Sequence, residues 1–154
     1  MYHKILITTD GSAVSSKTAC AGVAFAGQMQ AEILALYVAP EYQFPVYIEI
    51  VPPSFPGDEQ YRAAMLRAGD DHLRSVREAA ARRNLACACL TDFSDSPALK
   101  IVEVAEQQHC DLIFIGSHGR GGWGHLLLGS VTNKVLSHTR LPVLVHRLIS
   151  EPAT

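Results

Sequence analysis

The amino-acid sequence predicts an α/β protein in which helices cover both faces of a parallel sheet. Three observations carry this. Five short apolar runs, at residues 5–7, 33–38, 85–90, 112–115 and 143–145, are mostly continuous rather than alternating. Continuous runs suit strands buried on both faces. Segments with helical spacing separate them, so the order is β-α-β-α-β-α-β-α-β. Finally, the 154 residues amount to one domain's worth of chain, read as a single domain over 1–154 with a loose tail at 149–154.

Each element has a local reason. The first helix opens at Ser12, a good N-cap, and runs to Met29, with Ala19, Val23 and Ala26 on one apolar face. The second spans 58–84, with Tyr61, Met65, Ala68, His72, Val76 and Ala80 as its stripe. Its other faces carry mixed charge, and Asp70 with Arg74 has the favourable i,i+4 order. The third begins at Ser96-Pro97, a cap followed by proline at the first helical position. The fourth begins at Gly129-Ser130 and continues through Val131, Val135 and Leu136 to His138. Between the second strand and second helix lies an unusual segment, 40–57, with five prolines and four aromatics. A connection this long is either a stiff surface excursion or a functional lid. Its prolines alone account for the excursion.

Composition narrows the function. Hydrophobic residues make up 48% and charged residues 18% of the chain, which excludes a disordered protein. A chain of this size buries roughly 68–70% of its unfolded surface, enough for a core without disulfides or metals. The net charge is −2 and the pI is near 6.4, so no bulk attraction to nucleic acid or anionic membrane follows. Any anion site must be built locally. No secretory signal and no membrane-length apolar run is apparent, which points to a soluble cytoplasmic protein. Cys20, Cys87, Cys89 and Cys110 form no C-x-x-C pair. They read as small buried hydrophobes rather than a metal or redox site, although Cys87 and Cys89 would share one face of a strand.

In an open parallel sheet, ligands bind beyond the carboxyl ends of the strands where strand order reverses. The loops after the strands therefore matter most. After the first comes Thr8-Thr9-Asp10-Gly11-Ser12, and after the second Val38-Ala39-Pro40. After the fourth comes a glycine cluster: six of the eleven glycines fall between Gly116 and Gly129. Glycines let backbone N–H groups approach an anion closely. Gly129-Ser130 then opens a helix, whose free N–H groups and dipole favour phosphate. A Walker A loop is absent. Gly119, Gly121 and Gly124 match G-x-G-x-x-G, but they follow the fourth strand with too little chain beyond, and Leu144 offers no acidic ribose partner. The dinucleotide reading is discarded.

Gly116, Gly119 and Gly129-Ser130 instead read G-x2-G-x9-G-S. With ILITTDGS at 5–12, LIFIGSHGR at 112–120, LLLGSVTNKVL at 126–136 and LPVLV at 141–145, the chain resembles the ATP-binding branch of the universal stress protein family along essentially its whole length. The resemblance implies a Rossmann-like, open twisted five-stranded sheet in order 3-2-1-4-5. It implies that Thr8, Thr9, Asp10 and the backbone near Val38 contact adenosine. Gly116, Ser117, His118, Gly119, Arg120, Gly121 and Gly122 would cradle ribose and phosphates. Ser130, Val131 and Thr132, with Gly129 before them, would hold the terminal phosphates of ATP (or ADP or AMP), with Mg²⁺ held mainly by those phosphates. Thr8 departs from the family, where many members carry proline; its carbonyl still serves.

Plainer roles stand beside these. Asp10 also suits a turn or helix cap, Ser130 an N-cap, and Arg120 a solvated loop. Lys134 reads as solvated and Trp123 as locally packed. His118, His125, His138 and His146 lack metal-ligand spacing. The last strand, 142–146, would form an apolar sheet edge without inward charge. Family members commonly pair this edge with a second copy, which implies a homodimer. The resulting expectation is a nucleotide-responsive stress or regulatory module with no clear catalytic base and at most slow ATP hydrolysis. The alternatives are a dimeric interaction protein with a vestigial pocket, or an adenylyl- or phosphoryl-transfer enzyme. The latter lacks the S-G-G-x-D-S and H-I-G-H motifs of such enzymes.

Overall fold

The computed structural model describes residues 1–46, 50, 52–118 and 128–148. Five parallel strands, β1 (Lys4–Thr8), β2 (Glu32–Ala39), β3 (Cys87–Phe93), β4 (Leu112–Gly116) and β5 (Val143–His146), alternate with four helices, α1 (Ala13–Met29), α2 (Asp58–Ala81), α3 (Pro97–Gln107) and α4 (Ser130–His138). The sheet order is β3-β2-β1-β4-β5, as expected for a doubly wound fold. β1 is central, with Ile5 opposite Ile33 on one side and Leu112 on the other. The order reverses between β1 and β4, so their carboxyl ends flank the crevice where this architecture binds ligands.

The continuous apolar runs exist because both sheet faces are covered. Ile5, Ile7, Ile33 and Phe114 face one core layer, closed by Val23 and Ala26 of α1 and Leu73 and Val76 of α2. Leu6, Leu34, Leu36 and Ile113 face the other, closed by Ile101 and Val104 of α3 and Val135 of α4. Successive strand residues point to opposite faces, so each strand feeds both layers.

Several local expectations are corrected. β3 covers 87–93 rather than 85–90, taking in Thr91 and Asp92. An edge strand bonded on one side tolerates polar residues, so the end of the apolar run is not the end of the strand. α2 stops at Ala81, three residues early, and its deepest line is Gly69, Leu73, Val76 and Ala80. Tyr61, Met65, Ala68 and His72 flank that line at intermediate exposure. Gly69 is required there because a Cβ would overlap the Thr91 side chain. Asp70 pairs with Arg77 at 2.6 Å, and Arg74 with Asp71, rather than Asp70 with Arg74. Ser96 precedes α3 without a side-chain cap hydrogen bond. Its Oγ instead accepts from Lys134 Nζ at 3.2 Å, so Lys134, exposed as expected, also links α4 to the start of α3.

The described part of segment 40–57 is tied down. Tyr61 donates its hydroxyl to the Pro40 carbonyl at 2.9 Å, and Tyr42 to that of Pro56 at 2.8 Å. Asp95 accepts from the Glu41 N–H at 3.0 Å and from Gln43 Nε2 at 3.1 Å. These contacts hold the excursion against α2 and the loop before α3. Among the described residues, no helix is long and apolar enough to cross a membrane.

Candidate functional site

A cleft of about 400 Å³ opens at the carboxyl ends of β1, β2 and β4. Its β1 wall is Thr8, Thr9 and Asp10, followed by a turn that needs glycine: Gly11 has φ +79°, and a Cβ there would run into the His72 ring. Asp10 closes the turn, because its Oδ1 accepts from the Ser12 N–H at 2.9 Å. The same oxygen accepts from Ser15 Oγ at 2.5 Å. A hydroxyl has one proton, and this short contact to a carboxylate claims it. In the pair Thr9 Oγ1–Ser15 Oγ, at 3.0 Å, Thr9 is therefore the donor. Ser15 Oγ also accepts from the Asp10 N–H at 3.2 Å. Ser15, only 7% exposed, thus fixes both Thr9 and Asp10 from the first turn of α1. Asp10 fills its turn-forming role and also lines the cleft.

Sequence reasoning missed Ser15. The signal was present: Ser12 Oγ accepts from the Ser15 N–H at 3.1 Å, so Ser12-x-x-Ser15 is an N-cap and its N3 partner. A serine at N3 reaches back toward the preceding turn, as glutamate does in a capping box.

The apolar part of the cleft is lined by Leu36 and Val38 of β2, Ile115 of β4, and Pro97 and Ile101 of α3. The opposite part is made by Gly116, His118 and the start of α4. Gly129 is the N-cap; Ser130 is the first helical residue, not the cap. The Gly129 N–H donates to Ser117 O at 2.7 Å, and the first intrahelical bond is Asn133 N–H to Gly129 O at 3.0 Å. The N–H groups of Ser130, Val131 and Thr132 therefore have no intrahelical partner, and all three residues line the cleft. The Thr132 hydroxyl is committed elsewhere, donating to Gly116 O at 2.7 Å. It anchors the helix start to the end of β4. Ser117 is buried, with its N–H given to His146 O at 2.8 Å. Its Oγ lies 3.1 Å from His118 Nδ1, so it orients His118 from behind the wall.

The structure thus brings Thr8, Thr9, Asp10, Val38, Gly116, His118, Gly129, Ser130, Val131 and Thr132 to one cleft. Ser117 stands just behind it. Gly119, Arg120, Gly121 and Gly122 lie outside the described residues, as do Trp123, His125 and the tail at 149–154. Among the described lining residues there is no lysine or arginine, and Asp10 is the one carboxylate. An anion at the described part of this wall would meet backbone N–H groups and the α4 dipole. No cluster of three or more histidine, cysteine or acidic side chains suited to a metal occurs among the described residues. A larger groove of about 710 Å³ lies at the opposite sheet edge, near Gly27, Gln30, Arg83 and Asn84. It is open and stands at helix carboxyl ends.

Fold and cleft together define a doubly wound five-stranded α/β protein with a cleft at the β1/β4 switch point. The profile described as the Universal stress protein family matches residues 1–147. Universal stress protein MJ0531 of Methanocaldococcus jannaschii is 33% identical over 146 residues, covering 94% of this chain and 82% of that protein. Universal stress protein YxiE of Bacillus subtilis is 31% identical over 151 residues, covering 96% of this chain and all of YxiE, 100%. The chain belongs to the universal stress protein family. Among solved structures, UspA from Lactobacillus plantarum superposes with TM-score 0.77 at 24% identity, covering 94% of this chain and 97% of its own. A universal stress protein in complex with cAMP superposes with TM-score 0.64 at 20% identity, covering 95% and 97%. One from Archaeoglobus fulgidus in complex with dAMP does so with TM-score 0.61 at 16% identity, covering 94% and 97%. At these identities the likeness shows the fold.

Proposed function

We propose that the cleft binds an adenine nucleotide, ATP with Mg²⁺, and that the protein is a nucleotide-responsive regulatory module. One observation carries this reading: an apolar pocket of Leu36, Val38, Pro97 and Ile101 and the unpaired N–H groups of Ser130, Val131 and Thr132 share one cleft. A planar base needs the first and a phosphate chain the second. The adenine nucleotides in the two related structures, cAMP and dAMP, support the same ligand class. Thr8, Thr9 and Asp10 would contact the adenosine end, and Gly116 to Gly122 the ribose and phosphates, Arg120 among them. The residues fit a metal carried in by the phosphates, since Asp10 is the only described carboxylate on the cleft wall. When bound, Mg²⁺ would supply charge neutralisation between phosphate oxygens. Asp10 is held as a turn acceptor by Ser12 and Ser15, not as a base aimed at a water. Hydrolysis is therefore slow at most.

Isothermal titration with ATP and Mg²⁺ tests this. Saturable one-to-one binding is expected; no heat at millimolar ligand overturns it. Gly129→Asp is the matched variant. Aspartate is a good N-cap, so the helix start survives, while its carboxylate repels phosphate. Affinity should fall at least about tenfold, one 1.4 kcal/mol step. We also propose that the protein is a homodimer through the outer edge of β5.

A further inference from the structure

His118 is held in place where the chain leaves β4. Ser117, just before it, gives its N–H to His146 O at 2.8 Å, and its carbonyl accepts from the Gly129 N–H at 2.7 Å. The neighbouring glycines pack closely on this backbone. A Cβ on Gly116 would come within 3.2 Å of His118 O, and one on Gly129 within 3.6 Å of His118 Cα. The imidazole is tied through one nitrogen, with Nδ1 3.1 Å from Ser117 Oγ. His118 lines the cleft with Gly129 and the first turn of α4, while Ser117 is only 5% exposed.

By distance alone, either Ser117 Oγ or His118 Nδ1 could donate. The hydroxyl proton decides between them. Nδ1 is the one partner of Ser117 Oγ among the described residues. Were the imidazole proton on Nδ1, it would go to Oγ, and the hydroxyl proton would be buried without an acceptor, which is costly. With the hydroxyl as donor, Nδ1 accepts and both groups are satisfied. A neutral imidazole carries one proton, which then sits on Nε2. That nitrogen has no hydrogen-bond partner among the described residues.

We propose that His118 donates a hydrogen bond from Nε2–H to a phosphate oxygen of the bound nucleotide, and that Ser117 is the positioning residue that keeps the proton on Nε2. This rests on the adenine-nucleotide reading of the cleft. It adds a neutral side-chain donor to the backbone N–H groups of Ser130, Val131 and Thr132. The phosphate chain is the partner because His118 stands beside Gly129, whereas the base would occupy the apolar wall of Leu36, Val38, Pro97 and Ile101. Without the Ser117 hydroxyl the proton would be shared between the two ring nitrogens. Each time it moved to Nδ1, the cleft would lose a donor and the phosphate would face a lone pair.

Two measurements on the full chain test this. The first needs no ligand. In ¹⁵N-labelled protein at about pH 8, where imidazoles are neutral, two-bond ¹H–¹⁵N correlations show which ring nitrogen is protonated. The His118 signals are those lost in His118→Gln. Almost complete protonation of Nε2 is expected, falling to the mixture of a free imidazole in Ser117→Ala. A proton on Nδ1 overturns the assignment, and the same tautomer ratio in Ser117→Ala overturns the positioning role.

The second is isothermal titration with ATP and Mg²⁺ and, separately, with adenosine, with circular dichroism checking the fold of each variant. His118→Asn, whose amide reaches only as far as Nδ1, should weaken ATP about fivefold, the scale of one neutral hydrogen bond, and leave adenosine unchanged. His118→Gln, whose amide N–H takes the place of Nε2–H, should recover most of the loss. Ser117→Ala should weaken ATP by a smaller factor, but have no further effect in His118→Gln, where no tautomer has to be fixed. Unchanged ATP affinity in His118→Asn, or an equal loss for adenosine, overturns the donor role. A Ser117→Ala loss that persists in His118→Gln overturns action through His118. Wild-type protein that binds no ATP overturns the nucleotide reading and the donor role together, while the ring measurement still decides the tautomer.

Discussion

Ser15 shows how much of the site is set by one hydroxyl. Its proton goes to Asp10 Oδ1, and its oxygen receives from Thr9 Oγ1 and the Asp10 N–H. Ser15→Ala removes all three interactions in a buried setting, and helix propensity returns only a few tenths of a kcal/mol. Unfolding in urea should show a loss of about 1–3 kcal/mol, the cost of leaving buried polar groups unpaired. Asp10 should also lose its fixed orientation, so nucleotide affinity should fall in the same variant. An unchanged midpoint would mean that the turn holds itself. This residue was legible only in part. The Asp-Gly-Ser motif marks the turn and cap, but a side chain reaching back from N3 to the preceding loop leaves no periodic trace. Lys134 is a similar case, because its partner Ser96 lies 38 positions away in the chain.

At the scale of elements, close approach and exposed edges decide the behaviour. Gly69→Ala in an ordinary helix would stabilise by about 1 kcal/mol. Here the new methyl meets Thr91, and overpacking of this kind costs about 1–3 kcal/mol. The sign of the change in a denaturation midpoint therefore tests the α2–β3 packing: a decrease is expected, an increase contradicts it. On β5, Pro142 O and His146 O accept from Ile113 and Ser117. Backbone groups of one residue share a side of the strand, so Val143 and Val145 turn theirs away from β4. Val145→Pro removes an outward N–H and spares the β4 ladder. The wild type should sediment at about twice the 16.7 kDa chain mass, and the variant as a monomer at equal concentration. A variant that stays dimeric would move the interface elsewhere. The β3 boundary carries a lesson of the same kind. Thr91 and Asp92 extend the strand because an edge needs only one neighbour, a condition that hydrophobic runs do not encode.

Over the whole molecule, the sheet was legible because both of its faces are buried. Double burial forces Ile5, Leu6 and Ile7, and likewise 33–38, to be apolar without alternation, and that pattern is specific to an enclosed parallel strand. The crevice was legible for a related reason: topology alone brings the ends of β1 and β4 together, whatever their side chains. What stayed hidden was the division of labour inside it. Thr132 anchors α4 through its hydroxyl and leaves only its N–H for a ligand, while Gly129 rather than Ser130 caps the helix. In a chain of net charge −2, the donors that the proposed phosphate site would draw from the start of α4 are backbone groups, which a charge count does not register. Amide NMR spectra of the ¹⁵N-labelled protein test this most directly, titrated with ATP and Mg²⁺ and, separately, with adenosine. ATP should shift the amides of Ser130, Val131 and Thr132 together with Val38 and Ile101, and adenosine only the latter group. Equal shifts at the start of α4 with both ligands, or none with ATP, would contradict a backbone phosphate site.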